Sequence, residues 1–177
     1  MSFASATLLL PSPDTSWRVW KSRSAGHGET VDHPTDVKPQ GKPLVIGLPA
    51  AACRTIGLVL PNTDHAVLEQ IIITHMERCG LKLQDGEERN FRWHLLTQTA
   101  STATVSVDVL ADPFPEDLAL THVSDYTAAL RLLMLPAGHL VIAEESGSSV
   151  LAAGYQGKLY HSHIFGAAAI SAEEMSH

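Results

Sequence analysis

Apolar positions fall along this chain in short blocks cut by Pro, Gly and acidic residues, a rhythm that predicts many strands and few helices. Thr7 to Leu10 is an apolar run closed by Pro11, and Trp17 to Lys21 follows across Pro-Ser-Pro-Asp-Thr, a turn-rich connection. In the second of these strands Trp17, Val19 and Lys21 share one face, Arg18 and Trp20 the other. Residues 22 to 42 are polar and rich in Gly, Pro, His and Asp, and read as a mobile loop from which no residue enters a core. Leu44 to Leu48 (LVIGL) is continuously apolar, as a strand buried on both faces must be. Arg54 to Leu60 is a further strand, stopped by Pro61.

The period then changes. Leu68, Ile71, Ile72, His75, Met76 and Cys79 recur at helical spacing and predict an amphipathic helix from about Asp64. Thr63 or Asp64 serves as its N-cap, Arg78 suits the C-terminal end of the dipole, and Gly80 stands at the position of a terminating glycine. Phe91 to Thr99 and Thr102 to Leu110 form a hairpin. Val105, Val107 and Val109 alternate there with Ser106 and Asp108, the mark of a half-exposed strand. A short helix is expected over Ser124 to Leu133, with Tyr126, Ala129, Leu130 and Leu133 inward. Three strands follow: Leu140 to Ala143, Ser149 to Ala153 and Lys158 to Phe165. Ala167 to Met175 begins like a helix.

Composition narrows the class. The 177 residues suffice for one domain or slightly more, and 45% hydrophobic against 18% charged is a globular balance. The formal net charge is -7, with 12 Lys+Arg against 19 Asp+Glu and no basic cluster, which argues against nucleic acid as a partner. No stretch approaches the roughly 18 apolar residues of a membrane span, so no direct membrane insertion is expected. The first apolar run is too short, and has no basic residue before it, for a secretory leader. Cys53 and Cys79 lack a pairing pattern and read as reduced, buried thiols of a cytoplasmic protein.

Few constellations carry chemistry. His161 and His163 lie two apart on a strand and share a face, but no third ligand accompanies them, so no metal is expected. His75 lies at the edge of the helix stripe, and Cys53 beside Arg54 has no partner base. Glu144 and Glu145, adjacent on a strand, point to opposite faces and cannot act as a carboxylate pair. Gly154-x-x-Gly157-Lys158 lacks the length and the hydroxyl of a P-loop.

The segment from Leu140 to Gly166 runs strand, acidic Gly-containing turn, strand, turn, strand, Gly. It resembles the second phosphate loop of actin-like ATPases, with Glu144 or Glu145 near the family's Asp position and Gly147 near its Gly. The order of VIGLP (Val45 to Pro49), RTIGLVLP (Arg54 to Pro61) and a helix resembles the actin-like components of pilus and secretion machines. These are the pilus-assembly protein M of type IV pili and the cytoplasmic domain of protein L of type II secretion. The opening TLLLPSPDTSWRVW is closer to the secretion-type member.

That resemblance implies an α/β, actin-like (ribonuclease H-like) mixed sheet with flanking helices. It further implies an incomplete two-lobe fold, residues 1–139 forming the first lobe and 140–177 the start of a second, the chain being naturally short or truncated. It implies a non-catalytic cytoplasmic scaffold, peripheral to the inner membrane, that binds protein components of a pilus or secretion platform and is a possible homo-oligomer. The first phosphate loop departs from the family pattern. Pro11-Ser12-Pro13-Asp14-Thr15-Ser16 has no glycine, and its two prolines cannot donate N–H bonds. Glu144, Glu145 and Gly147 are therefore expected to be vestigial phosphate-loop positions, with no catalytic residues and no cofactor. The alternative is an ATP-binding enzyme, an ATPase or kinase of the actin/sugar-kinase fold.

Overall fold

Most of the apolar blocks become strands and one becomes a helix in the computed structural model, which describes residues 6–21, 28–38, 41–84, 86 and 89–165. The strands are β1 (Thr7–Pro11), β2 (Trp17–Trp20), β3 (Glu29–Val31), β4 (Leu44–Leu48) and β5 (Cys53–Pro61). After helix α1 (His65–Arg78) come β6 (Phe91–Gln98), β7 (Thr102–Leu110), β8 (Asp125–Ala128), β9 (Leu140–Glu145), β10 (Ser148–Tyr155) and β11 (Lys158–Ile164). They form three sheets, in the orders β3-β2-β1-β4-β8, β5-β7-β6 and β11-β10-β9.

The five-stranded sheet is mixed. β1 to β3 form an antiparallel meander, while β4 runs parallel to both β1 and β8. A strand with parallel neighbours on both sides has no edge to hydrate, and every residue of β4 is buried. Its core, around Leu9, Leu44, Ile46 and Leu48, is continuous with Val150, Ala152 and Leu159 of the β9–β11 sheet.

The second core lies between α1 and one face of the β5-β7-β6 sheet, where Leu68, Ile72 and Met76 meet Leu58, Val105, Val107 and Phe91. The helix ends are set locally. The Asp64 carboxylate accepts from the Val67 N–H at 3.0 Å. At the other end Gly80 takes φ 80° while Leu81 and Gly80 donate to the carbonyls of Met76 and Glu77, a Schellman closure. His75 and Cys79 fall on the solvent side. The helical period therefore placed them one position too generously in the stripe, and only Cys53 is a buried thiol.

Three expectations are corrected. Residues 124–133 are not a helix: Asp125–Ala128 pairs in parallel with β4, and Ala129–Leu132 forms a single 3₁₀ turn. The open edge of β4 and the hydrogen bond from Ser124 N–H to the Leu44 carbonyl outweigh the weak helical spacing. The stretch 22–42 carries strand β3 and a 3₁₀ turn at Pro34–Asp36, and its Val37 enters the main core. Strand β7 is buried on both faces rather than half exposed, because its polar side is covered in turn. The helix expected over Ala167 to Met175 lies outside the described residues.

The β5 and β11 strands meet without a backbone ladder between them. Thr55 N–H donates to Ser162 Oγ at 3.2 Å and Gly57 N–H to His161 Nδ1 at 3.4 Å. The Tyr160 ring lies directly on Gly57, so that a Cβ at position 57 would come within 2.3 Å of it. Gly57→Ala is accordingly expected to force the ring off the sheet. It should destabilise the fold by about 1–3 kcal/mol, measured as a lower urea midpoint at unchanged slope.

Candidate functional site

The two loops that correspond to phosphate loops in the resemblance lie against each other. Ser146 and Gly147 take φ of 47° and 74°, the signature of a two-residue hairpin turn between β9 and β10. Their N–H groups are the donors such a turn would offer to a phosphate. Here Ser146 N–H donates to the Ser12 carbonyl at 2.8 Å and Gly147 N–H to the Pro13 carbonyl at 2.9 Å. The partner loop supplies carbonyl oxygens, which repel an anion. Asp14, at its tip, is closed on its own turn, accepting from Ser16 N–H at 3.1 Å and from the Ser16 hydroxyl at 2.5 Å. Those bonds hold its carboxyl below the ordinary carboxylate range.

Glu144 and Glu145 part company at this turn. Glu144 is exposed. Glu145 points inward, is 6% exposed, and accepts one hydrogen bond, from Ala50 N–H at 2.9 Å. Burial pushes its pKa up, and the Ala50 bond offsets this only in part. Gly147 is exposed at the tip. The three expected positions are thus brought to one hairpin, where Glu145 and the Gly147 N–H are taken up by structural contacts and the Glu144 side chain faces outward.

The densest polar cluster was not anticipated. Asp108, on the face of β7 away from α1, is 6% exposed. It accepts from Arg131 Nη2 at 2.6 Å and Arg131 Nε at 2.8 Å, a bidentate pair, and from the Thr55 hydroxyl at 2.7 Å. His94 Nε2 lies 3.2 Å from its other oxygen. Arg131 also donates to Ser106 Oγ at 3.2 Å and to the Leu159 carbonyl at 3.5 Å. Burial would raise the Asp108 pKa, but the bonds from His94, Arg131 and Thr55 outweigh it and hold the value at about 2. Every oxygen of the carboxylate is occupied, so the cluster binds elements together rather than a substrate. In the sequence Asp108 falls on the polar side of an alternating strand and reads as solvent-facing, so its local pattern gives no sign of the cluster. Its partners lie 53, 14 and 23 residues away, and only the register assembles them.

A cavity of about 270 Å³ opens beside this cluster, between β6 and the outer edge of β8. Arg92 spans it, its guanidinium 2.9 Å from Asp125 Oδ1 and 3.4 Å from the Tyr126 carbonyl. Asn90 and Ser124, which also line it, are engaged with Gln84 N–H and Leu44 N–H. Convergent groups free to orient a ligand are what a binding pocket requires, and these are already paired.

The remaining candidates resolve into structural roles. His161 accepts the Gly57 N–H through Nδ1, and burial with the neighbouring His163 lowers its pKa. His163 stacks edge-on against Phe165 at 5.9 Å between centroids. Among the described residues no group of three or more His, Cys, Asp or Glu side chains converges. Burial pushes the Cys53 thiol far up, against nucleophilic reactivity.

The two buried carboxylates should respond to pH with opposite sign. Asp108, depressed below its ordinary 3.8, contributes stability that is present above that pH and is lost as pH falls toward about 2. Removing its charge leaves Arg131 buried and unpaired, so Asp108→Asn is expected to cost about 3–5 kcal/mol in a denaturant titration at neutral pH. Glu145, raised above its ordinary 4.5, is most compatible with the fold when protonated, and its contribution is lost as pH rises through the folded value. Glu145→Gln keeps an acceptor for Ala50 N–H and is expected to raise the thermal midpoint at neutral pH and flatten its pH dependence. An equal loss at all pH values would contradict this.

No protein-family model matches the chain, and no curated protein matches it. Among solved structures it is similar to the cytoplasmic domain of EpsL, an inner-membrane component of the type II secretion system of Vibrio cholerae. The TM-score is 0.58 at 12% identity, over 90% of this chain and 71% of that one. The fold is thus α/β and actin-like with a mixed sheet, as the order of strands and helix implied. No helix among the described residues is long and apolar enough to cross a membrane.

Proposed function

We propose that the chain is a non-catalytic scaffold module of a type II secretion or type IV pilus inner-membrane platform, binding other assembly proteins from the cytoplasmic side. The observation that carries the reading is the pairing of the Pro11–Ser16 loop with the β9–β10 turn, the two segments at the phosphate-loop positions of the resemblance. Ser146 and Gly147 direct their N–H groups at Ser12 and Pro13 carbonyls, so a phosphate would have to break two good backbone bonds and face two carbonyl oxygens. The likeness in fold to the EpsL cytoplasmic domain supports the choice of machine. A scaffold needs surfaces rather than an active centre, and the self-satisfied polar clusters agree with that. Glu144, Glu145 and Gly147 are on this reading vestiges whose outline persists as a hairpin.

Two measurements test it together. Isothermal titration with Mg-ATP is expected to give no binding heat. Chemical cross-linking in the native cell followed by affinity purification is expected to recover secretion- or pilus-platform proteins. Micromolar Mg-ATP binding, or steady hydrolysis above a heat-treated control, would overturn the scaffold reading in favour of an enzyme.

A further inference from the structure

An unpaired strand edge is a template for another strand, and folded proteins normally blunt each one. The edges among the described residues are treated unequally. β3 is three residues long. The outer edge of β8 is spanned by Arg92, which bonds Asp125 and the Tyr126 carbonyl. β6 carries a register break between Leu95 and Thr97, and β5 is closed by the side chains of Ser162 and His161 from β11. β9 has none of these devices. It is six residues, Leu-Val-Ile-Ala-Glu-Glu, with no Pro, Gly, Lys or Arg, paired to β10 without a break from Leu140 to Glu145.

The hairpin dictates which groups are free. In a two-residue turn the closing pair, Glu145 and Ser148, is hydrogen-bonded, and the bonded pairs then alternate. Val141, Ala143 and Glu145 therefore bond to β10, while Leu140, Ile142 and Glu144 aim their N–H and C=O groups outward. The same three residues carry the exposed side chains. Leu140 is 68% exposed and Ile142 42%, and Leu151 and Ala153 extend the apolar face on β10.

We propose that β9 is a self-association edge, at which two copies of this chain pair antiparallel about a two-fold axis through Ile142 and join their three-stranded sheets into one of six strands. Charge and parity select this occupant and this register. Pairing Ile142 with its own copy sets Leu140 opposite Glu144 and Val141 opposite Ala143, so that each apolar face continues across the junction. The carboxylates of Glu144 lie at opposite ends of the pair, beside the aliphatic Leu140. A shift that centres Glu144 would face like charges directly, which is unfavourable. A shift by a single residue would turn the apolar face of one copy against the core side of the other. The strand is thus complementary to itself without any basic residue from a partner. This inference does not depend on the scaffold reading.

The test is the mass and the cross-link of the full chain. Sedimentation equilibrium is expected to give twice the 19.0 kDa chain mass, and Ile142→Lys, which faces two ammonium groups across the axis, is expected to return it to one chain with an unchanged far-UV circular dichroism spectrum. In a Cys79→Ser background, Ile142→Cys is expected to form a disulfide-linked dimer under mild oxidation, whereas Leu140→Cys, which lies opposite Glu144, is not. A single-chain mass for the wild type overturns the proposal and leaves the edge to a strand from another protein. A dimer that survives Ile142→Lys, or cross-links equally through position 140, overturns it too.

Discussion

The bidentate pair between Asp108 and Arg131 holds the larger part of this molecule in register. It joins β7, at the centre of one sheet, to the 3₁₀ turn that follows β8 at the edge of another, and through the Leu159 carbonyl it reaches β11 in the third. A buried ion pair is a poor source of net stability compared with an apolar contact of equal volume, but it is intolerant of misplacement. Thr55, Ser106 and His94 complete the shell, so the polar side of β7 admits one arrangement of its cover. The apolar side, against α1, would accept several. Specific geometry thus resides on the polar face and bulk stabilisation on the apolar one.

The contact between the Pro11–Ser16 loop and the β9–β10 turn has a related logic. Two prolines remove N–H donors from the first loop and leave its carbonyls available. The second loop keeps its donors, as any hairpin of this turn type must. The turn donors of one loop and the open carbonyls of the other satisfy one another.

Strand identity was largely legible. Blocks such as LVIGL, the Val105–Val109 alternation and the three terminal strands each carry a period that backbone geometry enforces, and the helix has its N-cap and terminating glycine in the sequence. What the sequence concealed was set by partners distant along the chain. Asp125–Ala128 is a strand because β4 offers an open edge 80 residues earlier, information absent from the local pattern. Ser106 and Asp108 looked solvent-facing because nothing nearby in the chain announces Arg131. The hairpin around Glu144, Glu145 and Gly147 was recognised as a unit, but that Glu145 is buried against Ala50 while Glu144 faces outward with no comparable contact depended on a segment nearly a hundred residues upstream.

The seam between β5 and β11 carries one last consequence. Two backbone N–H groups of β5 are answered by a hydroxyl and an imidazole rather than by carbonyls of a neighbouring strand. Two sheets are thereby welded without sharing a ladder, and the weld is written in side chains. Such a boundary can be edited by ordinary substitution, since a change at Ser162 or His161 would reopen an edge while leaving both ladders whole. The number of exposed edges this fold presents is thus a heritable variable, tunable at two positions without redesign of either sheet.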